Sequence, residues 1–346
     1  MNEGSAPREP KIAVIGGGTG SFTLLSALKD HTSKIAALVN MADDGGSTGV
    51  LRDELGALPP GDVRQCLVAL SESPKVRDLF NYRFTEGTFN GHAFGNLLLS
   101  ALEKVSGSFS EAVETASDIL NIKGMVIPAT LDDVRLRMEW PNDEKLTLHG
   151  ERVIDEHYFK KDPRTAQLSL IPDAKANPLA IRAINDADIV VIAPGDLYTS
   201  LGPLLIIDEI NQALRSTSAI VVYVSNLVTK RGQTEGFTVS DHAGEIERFA
   251  GAPILDYVLY NEQKPTSVLA EAYREKENAY VVEIDEEIMG KQHYHAVSGN
   301  FLGEMANEAE GSEALPVAKR SLIRHDPDAA ARAIIDIFEH EYGKRH

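Results

Sequence analysis

Residues 11–21 read KIAVIGGGTGS, an apolar run that ends in four glycines spread over five positions. Lys11 to Ile15 has the length and the β-branched content of a strand. The glycines at 16, 17, 18 and 20 stand where a strand would pass into a helix. Lacking a Cβ, they let the backbone turn sharply and bring bare N–H groups against an anion, and Thr19 and Ser21 add hydroxyl donors. The stretch therefore reads as a βαβ opening with a phosphate-binding turn. A tight strand-to-helix turn would use the same glycines for backbone reasons alone. The dinucleotide fingerprint would put a third glycine at 21, where this chain has Ser21, and an acid at the end of the second strand, where it has Asn40. Both departures weigh against an NAD oxidoreductase.

Outward from the turn, Ser21 to Leu28 continues as a helix and Lys34 to Asn40 reads as the second strand. The stretch NMADDGGSTG, residues 40–49, begins at the C-terminal end of that strand as a flexible, glycine-rich loop. In a doubly wound sheet such strand ends line the ligand crevice. Asp43 and Asp44 could hold Mg²⁺ or sugar hydroxyls, and both roles suit a nucleoside diphosphate. An Asp-Gly turn with solvated carboxylates accounts for the same residues without a ligand.

Residues 62–121 carry helical periodicity in several pieces, among them DVRQCLVALS, FGNLLLSALEKV and SEAVETASDIL, and predict a helical layer. From about 124 to 171 the pattern alternates, as in VRLRMEW and KLTLHG, which predicts a small antiparallel β excursion. From Ala180 onward strand and helix alternate again: DIVVIAP, a helix at GPLLIIDEINQAL, AIVVYVSN, DHAGEIERFA, DYVLYN, TSVLAEAYREK, AYVVEI and a terminal helix after RHDP. The expected fold is α/β: a doubly wound, mostly parallel Rossmann-like sheet with a helical layer and the β excursion. Residues 1–10 read as a disordered leader, 11–346 as a single domain, and about 299–315 as a mobile loop.

The chain has 346 residues, 43% of them hydrophobic, enough to bury a full core, and its longest apolar runs are strand-sized and far short of the roughly 20 residues that span a bilayer. A net charge of −18 repels nucleic acid and anionic membranes, so a phosphate site must be local and made largely of backbone. MNEGSAPREP lacks the basic start and apolar middle of a signal peptide, and the single cysteine, Cys66, lies in an apolar helical pattern; both fit a cytoplasmic protein. No nucleophile–base–orienter set with a recognisable spacing is present, and the histidines form no metal-binding pattern. That favours a binding protein over an enzyme, although phosphoryl-type transfer works mainly by positioning and a metal.

Between residues 14 and 327, the motifs GGGTG, NMADDGGSTG, PPGDVRQCLVALS, GHAFGNLLLSAL, APGDLYTSLGPLL, SNLVTKRGQTEGF and RHDP resemble the YvcK-type gluconeogenesis factors, relatives of the phospholactate transferase (CofD) family. The resemblance implies a cytoplasmic binder of UDP-N-acetylglucosamine that influences cell shape and peptidoglycan supply during gluconeogenic growth. The alternative it carries is a CofD-like transferase moving a phosphate-linked group from a nucleoside diphosphate carrier with Mg²⁺. The partners it admits are a UDP-sugar, a protein of cell-wall precursor synthesis and a second copy of the chain; nucleic acid and membrane are not among them.

Carried over by motif, the front of the nucleotide-sugar crevice would be Gly17, Gly18, Thr19 and Gly20 with Asn40, Asp43, Asp44 and Ser47. Tyr273 in VLAEAYREK and Arg324 in IRHDP match the tyrosine and arginine linked to UDP-sugar binding. From the residues alone, Tyr273 reads as a core or surface tyrosine, and Arg324 is either a phosphate contact or a structural partner of Asp326, the N-cap before Pro327. In APGDLYTSLGP, Gly195, Tyr198, Thr199 and Ser200 offer N–H and hydroxyl donors. Where the family commonly has serine or threonine this chain has Asp196, which would repel a phosphate unless a metal or arginine stands between them. Asn226 and Thr229 suit a base or ribose, although an Asx turn explains Asn226 as well, and Asn96 with His92 stands near a helix start, His92 being a structural or an acid–base histidine.

Overall fold

The computed structural model describes residues 8–141, 146–277, 279–303 and 323–345. Seven strands form the main sheet: β1 (Ile12–Gly16), β2 (Ile35–Val39), β3 (Met125–Pro128), and, after a three-stranded unit of β4 (Arg135–Glu139), β5 (Thr147–His149) and β6 (Gln167–Ile171), β7 (Ile189–Ile192), β8 (Ile220–Val224), β9 (Tyr257–Asn261) and β10 (His295–Gly299). The order is β10-β9-β8-β7-β1-β2-β3 and every pairing is parallel, whereas the small sheet, β5-β4-β6, is antiparallel.

The central strands are near-continuous apolar runs because both faces are covered. Ala13 and Ile15 of β1, Val190 and Ile192 of β7 and Val221 and Tyr223 of β8 point into one core. Their alternates Ile12, Val14, Val191 and Val222 point into a second core on the other face. The second face is packed by α1 (Gly18–Leu28) and by part of a helical crossover between β2 and β3: α2 (Gly46–Leu55), α3 (Gly61–Leu70), α4 (Pro74–Asn81), α5 (Phe94–Ser106) and α6 (Phe109–Leu120). The terminal helix Pro327–Arg345 closes that face with Ala331 and Ile334. The first face is covered by helices within residues 178–250 and by the small sheet, whose Leu136, Met138 and Leu170 join its core.

Several boundaries differ from the sequence reading, each for a local reason. Met125–Pro128 is a parallel edge strand, so the antiparallel excursion starts at β4; Val126 and Ile127 are buried on opposite faces, which mimics the alternation of an antiparallel strand. AYVVEI makes only isolated bridges, Val281 to Val228 and Glu283 to Thr238. The last strand is instead β10, whose mostly exposed residues give little apolar signal. GPLLIIDEINQAL divides into Gly202–Leu205 and Asp208–Ser216, preceded by a π-turn at Leu197–Leu201. The flexible loop read at DDGGSTG is short, since α2 begins at Gly46. At the N-terminus Arg8 pairs with Asp188 and the Thr32 hydroxyl donates to the Pro10 carbonyl, so residues 8–10 are held while 1–7 lie outside the described residues. Of the loop read at 299–315, Gly299 ends β10, Phe301 is buried, and 304–315 lie outside the described residues.

The element that positions everything above the strand ends is the N-terminus of α1. A Cβ at Gly20 would lie 1.8 Å from the Pro194 carbonyl oxygen, so the helix can approach the end of β7 only with glycine there. Gly244 is a contrast: it sits inside the helix Val239–Ala250 with nothing within 4 Å of where its Cβ would be. Gly20→Ala should destabilise the fold by about 1–3 kcal/mol, the range for overpacking a tight contact, while Gly244→Ala should stabilise by about 0.5–1 kcal/mol. Urea unfolding of the two variants checks the opposite signs.

Candidate functional site

Strand order reverses between β1 and β7: from β1 the chain proceeds to β2 and β3 on one side, and from β7 to β8, β9 and β10 on the other. Ligands of doubly wound sheets sit above the carboxyl ends of the strands at such a point. A cleft of about 530 Å³ lies there, floored by Gly17–Gly20 and Pro194–Asp196 and walled by Asn226–Lys230, Tyr273 and Ile323–His325.

On its floor, Gly17 caps α1 without any side-chain bond, and Gly18 adopts the left-handed φ of +62°. The Gly18 N–H faces the carboxyl of Asp62, at the start of α3, and favours its charged form. Thr19 and Gly20 follow in the first helical turn, whose N–H groups have no intrahelical acceptor. The second floor segment is tied to the wall by Asn226: its Nδ2 donates to the Gly195 carbonyl at 2.9 Å and its Oδ1 accepts the Gly195 N–H at 3.2 Å. Asn226 thus closes a cross-loop staple and not an Asx turn. The Thr229 hydroxyl accepts the Tyr280 N–H at 3.0 Å, and the Thr199 hydroxyl donates to Asp155 at 3.4 Å. Tyr198 turns away from the cleft: its ring is buried and its hydroxyl donates to Glu245 at 2.9 Å. Ser200 remains a lining residue.

Charge on the wall is arranged differently from expectation. Asp196, which stood as an unexplained repulsion, is 2.9 Å from the ammonium of Lys230, which is also 2.7 Å from Asp155. Burial opposes the charged ammonium, but the two carboxylates more than offset it and hold the Lys230 pKa above the ordinary lysine value. Neither Lys230 nor Asp155 was singled out in the sequence, although SNLVTKRGQTEGF contains the lysine. Arg324 and His325 lie against the segment that follows β10: the Arg324 carbonyl accepts the Gly303 N–H, and His325 bridges Leu302. Arg324 therefore reaches the cleft from this segment and not from a sheet strand. The carboxylate of Asp326 accepts the Ala329 N–H at 2.9 Å as an N-cap. Tyr273 is buried in a small cluster with Leu227, Ala279 and Ile323 while also lining the cleft. Desolvation lowers the His325 pKa to about 4, so it is neutral and donates through Nε2 to the Ser225 carbonyl.

Asn40, Asp43, Asp44, Ser47, Asn96 and Thr199 do not line this cleft. Asn40 instead donates to the Thr199 carbonyl at 3.2 Å. Ser47 Oγ is 3.0 Å from His92 Nδ1 and accepts from Asn96, which in turn accepts from the buried Arg64. Asp43 accepts the Gly45 N–H at 2.8 Å. Asp44 accepts the Arg152 N–H at 2.8 Å and pairs with Arg135 at 3.4 Å, fastening α2's loop to the small sheet. A magnesium ion at this pair would compete with the Arg135 guanidinium for Asp44. Among the described residues no three His, Cys, Asp or Glu gather to hold a metal. With Asp44 committed to Arg135 and the Arg152 N–H, the Asp43–Asp44 pair is not a ready metal site.

The two groups of residues meet at Asp62, which the sequence reading missed although PPGDVRQ contains it. A Cβ on Gly17 would lie 2.2 Å from its Oδ2. Desolvation, then the charge of Asp43, push the Asp62 pKa up to about 7, while the Gly18 N–H pulls it down. Desolvation also raises Asp43, with Asp44 adding to it. Glu151 is pushed up to about 9, first by desolvation and then by Asp43 and Asp155.

Comparison with known proteins matches residues 12–302 to the family model described as "2-phospho-L-lactate transferase CofD". A Clostridium acetobutylicum protein provisionally named a gluconeogenesis factor is 39% identical over 329 residues, 94% of this chain and 69% of that protein. The gluconeogenesis factor of Bacillus subtilis is 34% identical over 336 residues, 96% of this chain and 99% of its own length. A solved Bacillus halodurans structure, a member of the UPF0052 family, superposes with a TM-score of 0.84 at 35% identity, covering 95% of this chain and all of that one.

The raised carboxyls fix the sign of a pH dependence. A carboxyl whose folded pKa lies above its unfolded value contributes stability that is full below the unfolded pKa and is lost as pH rises through the folded value. For Asp62 and Glu151 that window runs from about pH 4, the unfolded carboxyl value, to about 7 and about 9. The unliganded protein should melt higher near pH 5 than near pH 8.5, and Glu151→Gln should remove part of the difference by stabilising the alkaline end. Thermal melts of both proteins across that range check it.

Proposed function

The chain belongs to the CofD family and to its gluconeogenesis-factor group, and we propose that it binds a UDP-sugar, UDP-N-acetylglucosamine foremost, in the cleft at the β1–β7 switch point. In this reading it is a cytoplasmic regulator and not an enzyme. Its liganded state reports precursor supply to a protein of peptidoglycan synthesis and so influences cell shape during gluconeogenic growth.

The observation that carries the reading is the glycine turn at the α1 N-terminus, opening into the same cleft as Lys230 and Arg324 in a chain of net charge −18. The diphosphate would lie against the first-turn N–H groups of Thr19 and Gly20, because that of Gly18 faces Asp62. Arg324 would grip a phosphate from the opposite wall with the fork geometry of a guanidinium. Asn226 and Thr229 would position the nucleoside through the loops they fix. Tyr273 would offer its ring to the sugar nucleotide. The Asp43–Asp44 loop and the Ser47–Asn96 pair would support the turn from behind and not touch the ligand.

One observation favours the transferase alternative. Asp62 stands directly against Gly17 and Gly18, with Asp43 and Glu151 close enough to raise its pKa or be raised with it. Carboxylates beside a phosphate turn are what a group-transfer centre would need. Product formation from UDP-N-acetylglucosamine or a GDP-linked donor, with and without Mg²⁺, separates the two readings.

UDP-N-acetylglucosamine should raise the melting temperature by mass action, and GDP or NAD should do so much less. Arg324→Ala should cost about 1.5–3 kcal/mol of binding, the scale of a hydrogen bond to a charged group, without unfolding the protein, and Arg324→Lys should recover only part. Calorimetric titration decides: a shift with NAD alone contradicts the ligand, and wild-type affinity in the alanine variant contradicts the role of Arg324.

A further inference from the structure

We propose that Lys230 is a second cation for the ligand's diphosphate, held ready by two carboxylates, of Asp155 and Asp196, that the phosphates displace. The inference rests on the reading of the cleft as a nucleoside diphosphate site and adds to it a residue and an exchange of partners.

The root of the side chain is fixed. The Lys230 N–H donates to the Thr234 hydroxyl at 2.7 Å, and its carbonyl accepts the N–H groups of Gln233 and Thr234. From that turn the ammonium reaches the cleft, where it lies 2.7 Å from Asp155 Oδ1 and 2.9 Å from Asp196 Oδ2. An ammonium has three donors. Two are used, and among the described residues the third meets no protein acceptor. The side chain is 31% exposed, so that donor can face a ligand.

The charge balance is informative. One ammonium between two carboxylates leaves the triad at about −1, which would repel a phosphate at close range. The third donor allows a first contact, but a phosphate can settle closely against the ammonium only as a carboxylate yields its place. Both are able to yield. Asp196 precedes the turn Leu197–Leu201 without giving it a side-chain cap. Among the described residues the Asp155 carboxylate has, besides Lys230, only the long 3.4 Å bond from the Thr199 hydroxyl. A diphosphate offers several charged acceptors in place of one carboxylate and brings the cleft's other wall, Arg324, into the same interaction. Lysine suits such an exchange because its charge sits on a flexible stem and binds from any direction.

The test is a titration with UDP of four proteins: wild type, Lys230→Met, Asp155→Asn with Asp196→Asn, and the triple variant combining all three changes. The asparagine background removes the carboxylates that an uncompensated Lys230→Met would leave unpaired, so the triple variant keeps its fold; melting without ligand checks this. Asparagine at both positions should tighten UDP binding about threefold or more, because the competing acceptors are gone. Adding Lys230→Met to that background should weaken UDP binding about tenfold or more, the scale of a lost charge-assisted bond. If the lysine served only to neutralise Asp155 and Asp196, its removal there would leave affinity unchanged, and that result overturns the inference alone. Failure of the wild-type protein to bind UDP overturns the cleft reading and the inference with it.

Discussion

The N-terminus of α1 sits against the Pro194 carbonyl because residue 20 has no Cβ, and the arrangement above the sheet follows from that contact. It brings the ends of β1 and β7 together where the strand order reverses. Once they meet, the β8 loop is placed by Asn226, whose amide is satisfied at both ends by Gly195. The β8 loop in turn carries Thr229 and Lys230, one anchoring the segment at Tyr280 and the other reaching Asp155 and Asp196. A single close backbone approach is therefore linked through side-chain amide and ammonium contacts to the Asn226–Lys230 part of the cleft wall.

Electrostatics works against such a site and had to be solved locally. With a net charge of −18, the chain offers an anion little long-range attraction, and buried carboxylates stand just behind the glycine turn. Their ionisation is opposed by desolvation, so Asp62 is only partly charged near neutrality, which would soften its repulsion of a phosphate bound at the turn. In the proposed site the first-turn N–H groups, Lys230 and Arg324 would act at short range, where solvent screening is least effective. Asp44, by contrast, is spent on fastening: its bonds to the Arg152 N–H and to Arg135 lock the loop after β2 to the short helix Glu151–Glu156 and to the small antiparallel sheet.

Much of this was legible in the sequence because it depends on local chain chemistry. KIAVIGGGTGS encodes a strand, a turn and a helix in consecutive residues, and DIVVIAP and AIVVYVSN carry the unbroken apolar runs that a doubly covered parallel strand requires. The edge strands were less legible. β10 is mostly exposed and so lacks the pattern, while AYVVEI has the pattern but finds only isolated bridges. At the site, the glycines and Arg324 could be read from motifs, and the cleft does bring Gly17–Gly20, Gly195, Ser200, Asn226, Thr229, Tyr273 and Arg324 together. Lys230 and Asp62 could not, because their surroundings come from Asp155, Asp196, Gly17 and Asp43, residues distant in sequence. Asp43, Asp44 and Ser47 share a short stretch of chain with the end of β2, but the backbone carries them behind the turn.

The central claim is that a nucleoside diphosphate sits over the β1–β7 switch point and not over the end of β2. Amide hydrogen exchange with and without saturating UDP-N-acetylglucosamine tests it most directly, because the two places involve separate peptides. The account predicts added protection at Gly17–Gly20, at Gly195–Ser200 and at Asn226–Lys230, with little change at Asp43–Ser47 and around Asn96. Protection confined to Asp43–Ser47 and Asn96, with the glycine turn exchanging as before, would contradict it.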